Sequence, residues 1–215
     1  MPVEPKFEIL YDVRYASSYP NNIMLFNLLI DTKNMKCSVY IATSTDGFIA
    51  TPDGGIEWLL RSEYEDAGKI GLVYNKFIST VDAIVMGRHS FEKVLTFDEW
   101  YYEGTEVIVL TTQNLKVPEN LTGKVRFKSG TPQEIVKELA KEGKKHLYID
   151  GGITIQRFLE EKLINELTIT VIPILLGSGI PLFGNEGTEQ PLELIEVFTS
   201  SNGTVLKRYR IKAVE

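Results

Sequence analysis

Leu147-Tyr148-Ile149-Asp150-Gly151-Gly152-Ile153-Thr154 is the stretch on which the fold turns, because a short apolar strand runs straight into two glycines and then into a helix. Without side chains, Gly151 and Gly152 let backbone N–H groups approach an anion closely, and the positive end of the following helix dipole adds attraction. Such a junction belongs to an α/β sheet and can hold a phosphate. The same pair also serves as an ordinary tight turn, since the spacing falls short of a full G-x-G-x-x-G pattern.

The flanks support alternating strands and helices. Thr131-Pro132-Gln133-Glu134 carries an N-cap threonine, a proline at the first helical position and a glutamate three residues on, ahead of Ile135, Val136 and Leu139 on one face. A helix ending near Gly143 follows. Beyond the glycines, Ile155, Phe158 and Leu159 mark another helix, and a strand from Leu167 to Ile172 is stopped by Pro173.

Farther out, Val107-Ile108-Val109-Leu110 is too short for a helix and rich in β-branched residues, which predicts a buried central strand. Ala83 to Met86 is a strand followed by a short helix from about Ser90, and a helical stretch spans about Trp58 to Thr80. Val39 and Ile41 mark the first strand. At the other end, Leu192 to Phe198 and Val205 to Ile211 alternate around Ser201-Asn202-Gly203, where Asn-Gly supplies the positive φ angles of a tight hairpin. The architecture expected is a three-layer α/β fold, with a mostly parallel central sheet and a C-terminal antiparallel hairpin.

The 215 residues, 43% of them hydrophobic, suffice for one domain with a sizeable core. A net charge of -6 offers no basic stripe, so nucleic acid and anionic membranes are excluded as partners in favour of a small molecule. Cys37, the only cysteine, rules out an internal disulfide and reads as a small core residue, which fits a cytoplasmic protein. The apolar run from Ile23 to Ile30 contains Asn27, follows an acidic leader and is too short to span a bilayer. Residues 1–34 read as an N-terminal extension, with the functional domain at 35–215.

In open α/β sheets ligands lie beyond the carboxyl ends of the strands. Three ends are alike in offering small residues, hydroxyls or a cation: Gly87-Arg88-His89-Ser90, Thr111-Thr112-Gln113 and Asp150-Gly151-Gly152-Ile153-Thr154. Arg88 has the planar fork suited to a phosphate monoester, such as the 2'-phosphate that separates NADPH from NADH, with Ser90 or Thr112 donating beside it. A surface arginine among capping hydroxyls is the plainer reading.

These segments resemble the dihydrofolate reductase superfamily, and within it the branch containing the reductase domain of bifunctional riboflavin-biosynthesis enzymes. The likeness rests on Ile41 to Ala50, Val81 to Arg88, Val107 to Thr112, Ile149 to Gly152 and the run Pro173-Ile174-Leu175-Leu176-Gly177-Ser178-Gly179-Ile180-Pro181-Leu182-Phe183. The resemblance implies an NADPH site: Gly87, Arg88 and Ser90 at the adenosine 2'-phosphate, Thr111 and Thr112 at the adenosine, Gly151, Gly152, Ile153 and Thr154 at the pyrophosphate, Ala42 and Ile49 against the nicotinamide. It implies a lid in Ala50 to Glu57, with Gly54 and Gly55 at its turn and Trp58 flanking it, and a homodimer. Gly54-Gly55 is equally a surface turn, and Trp58 equally a core residue.

The sequence departs from dihydrofolate reductases at the first helix, where Gly71 stands near the position of their pterin-binding carboxylate. Glu63, Glu65 and Asp66 lie upstream and also read as a solvated helix start. Asp46 is the acid nearest the expected nicotinamide end, where it can relay a proton or simply stabilise its turn. His89 and His146 have no ligand spacing around them, so no metal is expected. The sequence thus reads as an NADPH-dependent reductase that passes hydride to a C=N or C=O of a small, heterocyclic or ribosylamino-pyrimidine-type substrate. The alternatives are a dihydrofolate reductase with a displaced carboxylate and a non-catalytic nucleotide-binding protein.

Overall fold

The structure, a computed structural model, describes residues 34–64, 69–184 and 189–212, the side chains of 69–72 excepted. The leader up to residue 33, together with Glu65 and Asp66, lies outside the described residues. Ten strands are described among them: β1 (Lys36–Ser44), β2 (Phe48–Ala50), β3 (Ala83–Gly87), β4 (Glu106–Leu110), β5 (Val125–Lys128), β6 (His146–Asp150), β7 (Glu166–Ile172), β8 (Ile180–Pro181), β9 (Leu192–Thr199) and β10 (Val205–Ile211). Four α-helices connect them: α1 (Lys69–Ile78), α2 (Arg88–Val94), α3 (Pro132–Lys141) and α4 (Gly152–Glu160).

Eight strands form the main sheet in the order β5-β4-β3-β6-β1-β7-β10-β9. All pair in parallel except β10 and β9, whose antiparallel ladder closes one side. Period-2 alternation along the strands sends one set of side chains to each face. Val85, Leu147, Ile149 and Val39 meet Ile135, Val136 and Leu139 of α3 and Ile155 and Phe158 of α4. Ile84, Met86, Val107, Val109 and Tyr148 meet Phe91 of α2 and Phe77 and Ile78 of α1. Three layers result, as expected from the sequence.

The local signals act as their chemistry requires. Thr131 and Glu134 form a reciprocal capping box with Pro132 in the first turn of α3. Cys37 is buried, and burial pushes its thiol up to about 12, which leaves it an inert core residue.

Four expectations need correction. The stretch from Trp58 does not start as one helix: it makes two 3-10 turns, Glu57–Leu60 and Ser62–Tyr64, separated where Arg61 turns extended, and α1 is described only from Lys69. β4 is buried but stands second from the edge, because the four residues of β5 add a strand outside it. The helix expected from Ser90 starts at Arg88, directly on the end of β3. The terminal hairpin is wider than a two-residue turn: Ser200 N–H donates to Thr204 O at 2.9 Å, and only Gly203 has a positive φ, Asn202 instead accepting from Thr204 N–H with its side chain. A five-residue loop satisfies its own backbone and does not force Asn202 into the left-handed region.

The sequence also gave no sign of a second small sheet, in which β2 pairs antiparallel with β8. It packs the loop after β7 against the turn after β1.

Candidate active site

Adjacent strands β3 and β6 send their outgoing connections to opposite faces of the sheet. From β3 the chain runs through α2, whose Phe91 packs on one face; from β6 it runs through α4, whose Ile155 and Phe158 pack on the other. A crevice therefore opens beyond the carboxyl ends of these two strands, the place where open α/β sheets take ligands.

Glycine is what lets the crevice close so tightly. Gly151 caps α4 with φ +83°, and a Cβ there would overlap the Ser90 hydroxyl across the crevice. A Cβ on Gly87 would come within 3.0 Å of Thr154 Oγ1, so the bare end of β3 allows the first turn of α4 to lie against it. A Cβ on Gly152 would reach 2.8 Å from Ile49 Cδ1. Gly87, Ser90, Gly151, Gly152 and Thr154 are thus brought together, with Ile49 and Ile180 beside Gly152. Thr154 is buried and faces Gly87, while Ile153 stands exposed at the mouth.

The remaining expected residues sit around this centre. Leu110 pairs with Gly87, which puts Thr111 and Thr112 at the next strand end, where Thr111 Oγ1 accepts from Gln113 N–H at 3.0 Å. Arg88 begins α2 and pairs with Glu92 at 2.6 Å. Ala42 pairs with Thr170 in the middle of the sheet. In the expected lid, Gly54 has φ +83° and its N–H donates to Thr51 O at 2.9 Å, while a Cβ on Gly55 would meet Glu57 and Thr51 side chains. Glu57 reaches Lys93 of α2 at 3.2 Å. Trp58 is buried, and its indole N–H finds no acceptor among the described residues.

Asp46 is exposed and fully engaged. Oδ1 accepts from Ser44 Oγ at 2.6 Å and from Leu176 N–H at 3.1 Å, and Oδ2 accepts from Gly177 N–H at 2.7 Å. The Ser44 hydroxyl, then the Gly177 and Leu176 amides, hold its carboxyl below the usual range. An ionised acceptor fits a tether between two loops.

The acid that sequence reasoning passed over is Asp150, at the last position of β6. Burial pushes its carboxyl above the usual range, against the Gly151 amide and the Tyr148 and Tyr102 hydroxyls that pull it down. Its surroundings are tyrosines: Tyr148 precedes it on the same face of the strand, and Tyr102 and Tyr74 lie close enough to interact. The Tyr148 hydroxyl is 2.7 Å from Tyr40 O and 3.4 Å from Asp150 Oδ1, so its one proton goes to the nearer carbonyl. Some of the Asp150 surface nonetheless remains open. It is an acid whose proton burial makes harder to remove, placed at the edge of the glycine crevice. The signal available in the sequence was an acid between an apolar strand and Gly-Gly, which reads equally as a turn former.

A nucleotide's phosphates need backbone N–H groups that side chains do not screen, and the Gly151-Gly152 turn, with no room for a Cβ at either position, meets that need. The sheet order, the crevice and the glycine turn define a dihydrofolate-reductase-like α/β protein; a dihydrofolate reductase from Enterococcus faecalis, solved with NADP(H), shares this fold at a TM-score of 0.59 over 84% of this chain and 98% of its own, with 15% identity. More narrowly, the chain belongs to the RibD C-terminal domain family, whose model matches residues 36–206. The protein YwjB of Bacillus subtilis (strain 168) is 37% identical over 162 residues, 74% of this chain and 88% of that one. A crystal structure from Shewanella sp. PV-4, of a protein named for riboflavin biosynthesis, is 37% identical, with a TM-score of 0.73 over 83% of this chain and all of its own.

Proposed function

We propose that this protein is an NADPH-dependent reductase acting on a C=N or C=O bond of a small substrate, of heterocyclic or ribosylamino-pyrimidine type. One juxtaposition carries the reading: a glycine turn able to take a dinucleotide phosphate and a carboxyl that burial makes a weaker acid than usual occupy the same crevice. Gly151, Gly152, Ile153 and Thr154 would hold the pyrophosphate, Gly87, Arg88 and Ser90 the 2'-phosphate, Thr111 and Thr112 the adenosine, and Ala42 and Ile49 the nicotinamide.

NADPH, when bound, supplies the hydride. Asp150 supplies the matching proton, from its carboxyl to the nitrogen or oxygen of the bond being reduced, so the product leaves neutral. A carboxyl of ordinary acidity would be ionised near neutral pH and have nothing to give. Asp46, fully engaged as an acceptor, holds the loop at Leu176 and Gly177 in place rather than delivering the proton. The loop carrying Gly54 and Gly55, anchored by buried Trp58, excludes water from the crevice when closed over it.

The chain also presents apolar surface at Leu175, Phe183, Leu192 and Leu194, which we assign to a second copy, giving a cytoplasmic homodimer. Following NADPH oxidation across a panel of cyclic imines and carbonyls tests the reading. Turnover that is lost in Asp150→Asn supports it. Tight NADPH binding with no oxidation by any member of the panel would assign the protein a binding role instead.

A further inference from the structure

We infer that Glu92 sets the affinity and selectivity of the protein for the cofactor 2'-phosphate, by competing with that phosphate for Arg88. The inference rests on the NADPH reading above. Within Gly87 to Ser90, Thr111 to Gln113 and Asp150 to Thr154, the stretches directly at the ends of β3, β4 and β6, Arg88 is the one lysine or arginine, so a dianion arriving there meets a single guanidinium first, with Lys93, Lys116 and Arg157 farther along the chain. That guanidinium is already engaged: Nη1 lies 2.6 Å from Glu92 Oε1, and Nη2 lies 3.2 Å from His89 Nε2. Glu92 Oε2 turns to the same histidine, 3.4 Å from Nδ1.

A phosphate monoester takes arginine through its planar fork, with two parallel N–H donors. To do so here it must displace the Glu92 carboxylate or sit beside it, and either course weakens binding. The pair is an i,i+4 contact with side chains 27% and 47% exposed, so it is weak enough to be displaced. It therefore tunes affinity without blocking the site. A nucleotide without the 2'-phosphate does not compete for Arg88 and is indifferent to Glu92, so the carboxylate narrows the gap between the two cofactors.

The test is calorimetric titration of the full chain with 2',5'-ADP, which carries the 2'-phosphate, and 5'-AMP, which lacks it. Glu92→Gln, and independently Glu92→Ala, is expected to bind 2',5'-ADP about two- to fivefold more tightly than wild type, the range of an exposed ion pair, with 5'-AMP unchanged. The gain should shrink as salt is raised. In an Arg88→Ala background the same substitutions should change nothing, which closes a double-mutant cycle. Wild-type binding of 2',5'-ADP that is unchanged or weakened in both Glu92 variants, or a gain that persists without Arg88, overturns the inference and leaves the NADPH reading standing. Failure of the wild-type protein to bind either nucleotide removes both.

Discussion

Asp46 and Gly177, 131 positions apart, are joined by a 2.7 Å hydrogen bond from the Gly177 amide to the Asp46 carboxylate. That bond fixes the Pro173 to Phe183 run over the turn after β1, where Leu182 N–H donates to Gly47 O and β8 pairs with β2. Ile49 and Ile180 thereby reach Gly152. Asp46→Ala is expected to lower the melting temperature and to raise KM for the cofactor more than it lowers kcat. The alkaline limb of its pH–rate profile, where the proton donor ionises, should stay where it is in wild type, since the proton comes from elsewhere. The Asp46 carboxyl is held below its ordinary value, so its contribution to stability is present above that value and fades as pH falls through the folded one. A lost alkaline limb in the variant would return Asp46 to a proton-transfer role.

Gly151→Ala probes the crevice from the other side. The position has φ +83°, and an added Cβ meets Ser90, so the variant should lose about 1–3 kcal/mol of unfolding free energy in urea denaturation. Ser90→Ala should recover most of the packing loss, because it removes the hydroxyl that the added atom overlaps and leaves only Ser90 Cβ at 3.2 Å. Ser90→Gly should recover the packing part and leave the backbone part. A neutral Gly151→Ala would mean that the turn is looser than this geometry.

Asp150→Asn should separate stability from activity. The folded pKa of Asp150 is raised above the ordinary 3.8, so its favourable contribution is complete below that pH and is lost as pH rises through the folded value. Asparagine cannot ionise. The variant is therefore expected to melt higher than wild type at pH 8, with the difference vanishing toward pH 4, and to turn over substrate at least a hundredfold more slowly, the usual scale of a lost general acid. Destabilisation at pH 8 would contradict the placement of this carboxyl.

At the far end of the sheet, His146 Nδ1 faces Thr80 O at 3.0 Å and Nε2 faces Ser38 Oγ at 2.9 Å. Those contacts place the proton on Nδ1 of a neutral ring. Burial, then the Lys36 charge, lowers the pKa of the ring below its ordinary 6.5. The unfolded chain accordingly takes up the proton first, and stability should fall as pH drops from about 6.5 toward the folded value. Equilibrium unfolding at pH 5 to 7 in wild type and His146→Gln checks this: the slope of stability with pH should be smaller in the variant.

Much of this arrangement was legible where one local signal sufficed. The Thr131-Pro132-Gln133-Glu134 cap, the Val107 run and the Gly151-Gly152 turn each depend on neighbours within a few residues, and each forms the element the sequence predicts, the Val107 strand differing only in lying second from the edge. The short elements were not legible. β5 is four residues, Val-Arg-Phe-Lys, with one residue fully buried, and β2 and β8 are shorter still, held by a pairing across more than a hundred residues. Asp150 was hidden for a related reason: its perturbation comes from burial, which spacing along the chain does not encode, and is opposed in part by Tyr102, which arrives from the loop before β4. Trp58 to Thr80 misled because helical periodicity does not distinguish an α-helix from successive 3-10 turns that break at Arg61.

The central claim is that the ends of β3, β4 and β6 together bind one reduced dinucleotide. Calorimetric titration of the full chain with NADPH and with NADH tests it most directly. Saturable binding of NADPH, at least tenfold tighter than that of NADH as one charge-assisted contact to Arg88 requires, is the expected result. No heat of binding with either coenzyme would contradict it.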